Sequence, residues 1–386
     1  MVAADLNGGE AEELRKAMGG KRSRSIMEGL QTRLRDGMTA KGFDEAIQEE
    51  VLRILSTVQE FMFPESHAHS FAFIAYSSAY TRYHYLAAYT CGLFNNQPMG
   101  FYSPATIAND AKRHGLKIRP VDVQHSDVRC TLEALQETDK GRYIGPFGVR
   151  MGFNYARGLR QETAARIVEA RQMDGPFASE YDLQRRVPAI RREELTSLAR
   201  IGAFNWTGET HHRRTALWRA ERAGQTAGPL FARIADEHEA ATDTPLRAMS
   251  PEERLVADFG GTGLTMGPHP MAYHRAAMNR SGVVAAADLK GQKDGTYIRI
   301  AGAVIARQRP GTAQGFIFLS LEDETGISNA IVHPKLYEQS RIAVTRGKFL
   351  EVEGTLQNQD GVINIRASVV KILSLSDAEM RSHDFH

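Results

Sequence analysis

The segment Tyr297-Ile298-Arg299-Ile300-Ala301-Gly302-Ala303-Val304 begins with polar and apolar residues in alternation and continues with small apolar ones. A period of two places successive side chains on opposite faces of the backbone, so the segment is predicted to be a β-strand. The pattern recurs between turn residues in four further segments, residues 315–321, 326–332, 349–356 and 362–367. Because five short strands suit a small closed barrel, the sequence predicts an OB-type β-barrel here.

The residues before the barrel follow a different period. From about Gly9 to Gly115, and again from Ala156 to Arg222, apolar residues recur at intervals of three and four, which predicts helices. A short extended piece at residues 118–123 separates the two helical stretches. The predicted fold class is therefore multidomain α+β. Its five parts are a helical region at 1–120, a hairpin-bearing region at 121–222, a linker with a short helix at 223–278, the OB-fold domain at 279–376 and a tail at 377–386.

Composition excludes some classes of protein. The 386 residues, 42% of them hydrophobic, suffice for two or three domain cores. Cys91 and Cys130 stand far apart, which disfavours a disulfide framework or a zinc knuckle and favours a reducing cytoplasm. No signal peptide and no apolar run of about 20 residues is apparent, so we expect a cytoplasmic protein with no membrane partner. The net charge of +2 does not by itself indicate a polyanionic partner.

A basic cluster near the N-terminus is a candidate phosphate site. Arg15 and Lys16 precede the pair Gly19-Gly20, and Lys21 and Arg22 follow it. Two cations on a helix and two beyond a glycine turn can supply the clustered donors that a triphosphate needs. The alternative, a solvated basic helix end, is the more frequent explanation of such a cluster.

A second candidate is the segment Phe63-Pro64-Glu65-Ser66-His67-Ala68-His69-Ser70-Phe71-Ala72. Phe63-Pro64 is expected to end one helix and Ser66 to cap the next, which places His67 in a first turn that favours anions. His67 taken alone is more often a structural histidine. A stripe of tyrosines follows, and such a stripe is usually core packing, although exposed rings can stack on bases. Its members are Tyr76, Tyr80, Tyr83 and Tyr85.

Residues 151–168 resemble a helix-hairpin-helix, in which a glycine turn offers backbone N–H groups to one DNA phosphate. The usual Gly-x-Gly turn is Gly158-Leu159-Arg160 here, so we expect Arg160 to occupy a position that favours positive φ. Its guanidinium could offset the missing glycine with a charged contact. Arg166 and further arginines make the region basic, which indicates salt-dependent binding to the DNA backbone; a solvated face is the alternative.

Aromatic and cationic residues also occur on the early strands of the predicted barrel, where OB folds stack bases and follow phosphates. Alternation places Phe316 and Phe318 on one face, so both could instead be core packing. Barrels of this appearance occur in anticodon-binding domains of aminoacyl-tRNA synthetases, so the barrel alone does not distinguish DNA from RNA. The candidate contacts are Tyr297, Arg299, Arg307 and Phe316.

These motifs resemble, in the same order, the fingers, helix-hairpin-helix and OB parts of the bacterial DNA polymerase III alpha family. Residues 97–102 and 262–271 are similar to the error-prone, damage-bypass branch of that family, and the resemblance extends from about Leu14 to Leu373. It implies that Arg15, Lys16, Lys21, Arg22 and His67 contact the phosphates of an incoming nucleotide. It also favours DNA over RNA as the ligand.

The family resemblance further implies what this chain lacks. Family chains carry, ahead of this region, a metal-hydrolase-like domain and a palm whose three carboxylates hold two Mg²⁺ ions. Neither is expected here, and neither the pair Asp122 and Asp127 nor the run at 322–324 resembles a metal site. We therefore expect no catalytic residue and no bound metal in this chain.

The primary hypothesis is the C-terminal part of an error-prone, translesion DNA-directed DNA polymerase that binds primer–template DNA, single strands and deoxynucleotide triphosphates, inactive alone. The family implies the sliding clamp and an inactive Y-family-like mutagenesis protein as partners, although residues 227–231 keep only the Leu-Phe end of a clamp-binding peptide. Two alternatives remain open. One is a free-standing, non-catalytic DNA-binding accessory protein, and the other is an RNA-binding OB protein.

Overall fold

The computed structural model describes residues 7–9, 12, 24–61, 65–136, 145–204, 212–223, 246–311, 313–374 and 383–385. The chain divides into two compact units, Met1–Tyr80 and Thr81–His386. None of the helices in the described ranges combines the length and the hydropathy that a membrane-spanning segment needs. The candidate contacts of the hairpin and the barrel all lie in the second unit.

The first unit is helical, as its periodicity predicts. Helix α1 spans Arg24–Ala40 and α2 spans Glu45–Phe61. Leu34 and Met38 of α1 are buried against partly buried residues of α2, which gives the pair a small apolar core. Helix α3, Glu65–His84, begins in this unit and ends in the next.

The second unit begins with two helices and a small sheet. Helix α4 spans Leu86–Asn95 and α5 spans Pro104–Arg113, where Ser103 caps α5 by accepting from the backbone of Thr106. Strand β3 lies at the centre of the sheet, parallel to β1 and antiparallel to β2. The strands are β1, Ile118–Arg119; β2, Thr131–Ala134; and β3, Phe147–Arg150.

Four helices follow the sheet and form the hairpin region. They are α6, Gln161–Asp174; α7, Glu180–Arg186; α8, Arg192–Ile201; and α9, Arg213–Ala223. Helix α8 ends at Gly202, whose φ of 81° suits the left-handed C-cap that glycine adopts at low cost. Leu195 and Leu198 of α8 and Ile167 of α6 are buried in one large core.

The later part of the predicted linker packs into this same core. Helix α10 spans Pro251–Thr262, where Ser250 and Glu253 form a capping box. Leu255, Phe259 and Met271 are almost completely buried. The segment therefore adds to the core of the hairpin region, and α11, Arg275–Arg280, leads from it towards the barrel.

The predicted OB-type barrel is confirmed. Strands β4–β5, β5–β6, β7–β8 and β4–β7 pair antiparallel, and a parallel pairing of β6 with β8 closes the barrel. A short strand β9 lies parallel to the end of β4. The elements are β4, Tyr297–Gln308; β5, Ile317–Glu322; β6, Ile327–Val332; α12, Pro334–Gln339; α13, Arg341–Arg346; β7, Phe349–Gln359; β8, Val362–Ile372; and β9, His383–Phe385.

The barrel has its own apolar interior, built from the inward residue of each alternating pair. Ile300, Leu319, Val352 and Ile365 are among its fully buried members. Close strand contact requires Gly354, because a Cβ there would lie 2.2 Å from the carbonyl oxygen of Arg366. In β6 the alternation leaves the other side chains on the outer surface, whereas Ala301 and Ala303 of β4 and Phe349 of β7 are buried in the large core.

Candidate nucleic-acid interface

The hairpin turn has its positive φ at one residue only. Gly158 has φ 84°, whereas Arg160 has φ −71° and ψ 144° and is the N-cap of α6. The expectation that Arg160 occupies a position favouring positive φ is therefore wrong. Its extended backbone is open to any side chain, so the loss of the second glycine costs no backbone strain.

The same turn presents backbone donors to solvent. Gly158, Gln161 and Glu162 are exposed, and their N–H groups donate to no acceptor within the described part of the chain. The first N–H groups of a helix lack intrahelical partners, and the helix dipole adds partial positive charge there. The carboxylate of Glu162 opposes that charge. The arrangement can hold one phosphate oxygen through backbone hydrogen bonds.

The guanidinium of Arg160 is bound within the protein. Its Nε and Nη2 donate to the two carboxylate oxygens of Glu194, at 2.9 Å each, and Nη2 also donates to the carbonyl of Ala189 at 2.7 Å. Glu194 belongs to α8 and has 2% of its side chain exposed. Arg160 thus joins the start of α6 to the start of α8, which the sequence did not reveal.

Glu194 collects further donors at this junction. It accepts from the backbone N–H groups of Arg160 and Arg191, at 2.9 Å each, and from the hydroxyl of Thr163 at 3.2 Å. Burial alone would raise the pKa of Glu194, but the hydrogen bonds from Arg160, Arg191 and Thr163 outweigh it and lower the pKa to about 2. The carboxylate is therefore a charged anchor beneath the hairpin turn.

Most other arginines of the region are also engaged in the protein. Arg171 donates to the carbonyl of Val123 at 2.8 Å, and Arg186 to three carbonyls near the end of α6. Arg166 differs, because it is exposed on α6 and has no ion pair in the described ranges. The basic balance read from sequence is thus largely neutralised by intramolecular pairs. These are Arg185–Asp182, Arg192–Glu221, Arg213–Asp258 and Arg214–Glu253.

In the barrel, Arg307 does not lie where a DNA contact requires it. It is 9% exposed, its Nε donates to the carbonyl of Val344 at 2.7 Å, and its Nη2 donates to the carbonyl of Gly347. These carbonyls lie around the end of α13, which the guanidinium holds against β4. The assignment of Arg307 as a DNA contact disagrees with this burial. Buried carbonyls need hydrogen-bond donors, and the guanidinium of Arg307 is used to supply them.

The other barrel candidates differ in accessibility. Tyr297 is 57% exposed. Arg299 donates to the carbonyl of Ser281 at 2.8 Å and lies 3.7 Å from carboxylate oxygens of both Glu351 and Glu353. Phe316 precedes β5, is half-buried and packs edge-on against His333, with the ring centroids 5.0 Å apart. Tyr297 is thus the most accessible of the four.

Strand register brings together a surface row that the sequence did not identify. Phe318 of β5 pairs with Ile331 of β6, and Ile331 pairs with Arg366 of β8. Phe318 is exposed between the buried Ile317 and Leu319. Arg366 is exposed, with no ion pair in the described part of the chain. We call this row the outer strip; in order around the barrel its members are Gln308, Phe318, Ile331, Arg366, Thr355 and Tyr297.

Helix α3 carries the His67 element. Ser66 lies inside α3 rather than at its N-cap, because the helix already begins at Glu65. His67 is exposed, with its ring centroid 4.6 Å from that of Phe71. The tyrosines lie in solvent instead of in a core, at 74% exposure for Tyr76 and 84% for Tyr83. The cluster of Arg15, Lys16, Lys21 and Arg22 lies outside the described residues.

The acidic residues considered as metal ligands have local roles. Asp122 accepts from the backbone of Gln124 at 2.7 Å, and Asp127 from that of Val128 at 2.6 Å, as in turns. Among the described residues no group of three or more His, Cys, Asp or Glu side chains could hold a metal ion.

Two family models match the chain. A helix-hairpin-helix motif matches residues 115–216, and an OB-fold nucleic acid binding domain matches residues 298–373. With the exposed hairpin turn and the closed barrel, these matches define the class: a helix-hairpin-helix region joined to an OB-fold nucleic-acid-binding domain.

Curated relatives narrow the class. An error-prone DNA polymerase of Azoarcus sp. is 42% identical over 389 residues, which cover 100% of this chain and 35% of that protein. One from Methylococcus capsulatus is 37% identical over 399 residues, covering 100% of this chain and 37% of that protein. The chain is thus similar over its whole length to error-prone DNA polymerases and spans about a third of the length of these relatives. The resemblance inferred from the motifs is confirmed.

Among solved structures, asparaginyl-tRNA synthetase from Pyrococcus horikoshii, complexed with asparaginyl-adenylate, is 25% identical over 24% of this chain and 22% of that chain. The TM-score is 0.21, which is too low to carry an argument about function.

Proposed function

We propose that this chain is a DNA-binding part of an error-prone, translesion DNA polymerase, and that it binds DNA through the hairpin turn and the outer strip together. The observation that carries the proposal is that both surfaces belong to one compact unit, Thr81–His386. Each surface suits a different chemical part of a nucleic-acid strand. The hairpin suits phosphates, and the barrel suits unstacked bases.

At the hairpin, one phosphate is held by the free N–H groups of Gly158, Gln161 and Glu162. Arg166, further along the exposed side of α6, neutralises charge on the same strand. Arg160 contributes by keeping the turn in place through Glu194 rather than by touching DNA. Such contacts do not depend on base sequence, as a polymerase requires.

At the barrel, bases stack on Phe318 and Tyr297, and Arg366 pairs with the backbone between them. The three side chains lie in one cross-strand row, so a single strand crossing the barrel meets all of them. Aromatic stacking tolerates any base because each base has a π-face. The row therefore supports sequence-independent binding of a single strand.

The finer parts of the proposal concern the whole polymerase. Arg15, Lys16, Lys21, Arg22 and His67 contact the triphosphate of the incoming nucleotide, and the exposed rings of α3 lie near the nascent base pair. Mg²⁺ is held by carboxylates outside this chain, so the chain alone binds without turnover. The sliding clamp and an inactive Y-family-like mutagenesis protein are proposed partners of the complete enzyme.

The test is fluorescence anisotropy of the purified chain with a single strand of about 30 nucleotides, a primed duplex and tRNA, at salt from about 50 to 200 mM. We expect binding to both DNAs that weakens steeply with salt. Tighter binding to tRNA would favour an RNA-binding protein, and no DNA binding would overturn the proposal.

Primer extension with Mg²⁺ and four nucleotides tests whether the chain alone synthesises DNA and whether it is part of a polymerase. No extension by the chain alone is expected. Restoration of synthesis by a second polypeptide that carries the palm carboxylates would support a polymerase part. Failure of that restoration would favour a free-standing DNA-binding accessory protein, and extension by the chain alone would contradict the assignment of Mg²⁺ to other residues.

A further inference from the structure

The end of β5, where it enters the turn to β6, carries a carboxylate that is completely buried. Glu322 accepts from the guanidinium of Arg113, Nη1 to Oε1, at 2.8 Å, and from the amide of Asn109, Nδ2 to Oε2, at 3.1 Å. The Nε2 atom of His269 lies 3.8 Å from Oε2. Glu322 itself is 0% exposed. A barrel carboxylate is thus held by groups that come from outside the barrel.

The next two residues of the turn also reach outward. Asp323 accepts from the Nη2 of Arg275 and from the backbone N–H of Ala286, at 2.8 and 2.9 Å, while Glu324 pairs with the Nε of Arg275. The other oxygen of Asp323 accepts from the backbone of Thr325 and Gly326 and shapes the turn. We call residues 322–324 with Asn109, Arg113, His269 and Arg275 the junction cluster.

The four partners of the acidic residues differ in how the chain connects them to the barrel. His269 and Arg275 lie on the segment that runs directly into β4, so they would stay near the barrel in any arrangement. Asn109 and Arg113 lie on α5, separated from Glu322 by 213 and 209 positions in sequence. Their contact with Glu322 therefore depends on how the barrel is turned relative to the helices.

Apolar packing at this junction is less directional. The barrel contributes Ala301, Ala303 and Phe349 to the large core, and apolar burial does not by itself specify a direction. A cavity of about 300 Å³ borders the junction cluster, lined by residues that include Asn109, Arg113 and Asp323. On that side, the helices and the barrel are bridged by polar groups rather than by close packing. Buried ion pairs resist displacement because an unpaired buried charge is costly.

We infer that Glu322, Asn109 and Arg113 are positioning residues that set the orientation of the barrel relative to the hairpin, so that one DNA strand occupies both surfaces. This inference rests on the proposed function. A strand held at one surface meets the second at a high effective concentration only when the two are correctly spaced. Loosening the junction reduces that gain and leaves each separate surface unchanged.

The test replaces Arg113 and Glu322 together by methionine, which removes both charges at similar volume and avoids a lone buried charge. Glu322→Gln is a second variant that keeps the side-chain shape but leaves Arg113 charged and poorly paired, so it is expected to disturb the junction as well. The same double replacement at the exposed pair Arg53–Glu50 of α2 is the matched control. Affinity is measured for single strands of about 6 and about 30 nucleotides, so that only the longer strand reaches both surfaces.

The orientation of the barrel relative to the hairpin is measured in the absence of DNA. Spin labels on Glu169→Cys of α6 and Gln357→Cys of β7 report the distance between hairpin and barrel, and the native Cys91 and Cys130 are buried and resist labelling. We expect the double variant to broaden this distance distribution and to bind the long strand about tenfold more weakly, with short-strand affinity within about twofold. The exposed-pair control should match the parent in both measurements.

Unchanged distances, or an equal loss for both strand lengths, would overturn the inference. If the parent protein binds neither strand, the proposed function fails; the distance measurement then still shows whether the junction cluster orients the barrel.

Discussion

The hairpin turn and the outer strip offer DNA two different chemistries within one unit. At the hairpin, free backbone N–H groups face solvent, and Arg160 is occupied by Glu194. At the outer strip, backbone groups are paired in the barrel, and the side chains of Phe318 and Arg366 face solvent. Side-chain substitutions should therefore act on the hairpin through its stability and on the barrel through its contacts with DNA.

The largest expected effect is a loss of stability when the carboxylate beneath the hairpin turn is replaced. Glu194→Gln should lower the free energy of unfolding by about 3 kcal/mol, because Arg160 is left charged and poorly paired beside a buried group. Urea unfolding measures it, with Glu169→Gln, on the exposed face of α6, as the control. A loss below about 0.5 kcal/mol would show that the anchor beneath the turn contributes little.

The difference in unfolding free energy between the parent and Glu194→Gln should depend on pH, and its sign follows from the pKa of Glu194. The pKa of Glu194 is lowered to about 2 from 4.5 in the folded protein. A lowered carboxyl pKa stabilises the fold above the unfolded value, and the gain is lost as pH falls through the folded value. The stability difference between the parent and Glu194→Gln should therefore be full above about pH 4.5 and shrink towards pH 2. A difference that stays constant over this range would contradict the lowered pKa.

The second prediction contrasts two arginines of the barrel. Arg307→Met should destabilise the protein by about 2 kcal/mol, because the carbonyls of Val344 and Gly347 lose their donor. Arg366→Met should leave stability nearly unchanged and weaken binding to a single strand several-fold. Thermal unfolding and anisotropy on both variants measure the contrast. The reverse pattern would mean that the barrel binds DNA through another face.

The third prediction separates stacking from packing. Phe318→Ala should weaken single-strand binding about tenfold, within the 1–3 kcal/mol range for one stacked base, with little loss of stability. Phe316→Ala is the matched control, since Phe316 packs against His333. Phe316→Ala should lower the melting temperature and change the affinity for a single strand only a little. Equal affinities for Phe318→Ala and the parent would remove the outer strip from the interface.

The smallest expected effect concerns charge on the hairpin. Arg166→Gln should reduce the slope of log affinity against log salt by about 1 and weaken binding a few-fold at low salt. Arg185→Gln is the comparison, because Arg185 is already paired with Asp182. It should leave the slope unchanged. Identical slopes for the parent and Arg166→Gln would place the bound strand away from α6.

Sequence reasoning recovered the five strands and the helices, because periodicity records which face of each element is buried. It was less successful with arginines. Arg160, Arg166, Arg307 and Arg366 look alike in sequence, and only Arg166 and Arg366 are exposed without an ion pair among the described residues. Whether an arginine meets solvent or a carboxylate depends on partners such as Glu194, which lies 34 positions from Arg160.

By itself, the sequence determined the order of the parts, the closed barrel and the resemblance to error-prone DNA polymerases. Alternation, helical spacing and motifs such as residues 97–102 are local, so they survive without knowledge of the fold. The tertiary structure alone decided the outer strip, the burial of Arg307 and the contact of Glu322 with Asn109 and Arg113. These depend on strand register and on pairs up to 213 positions apart, which no local pattern records.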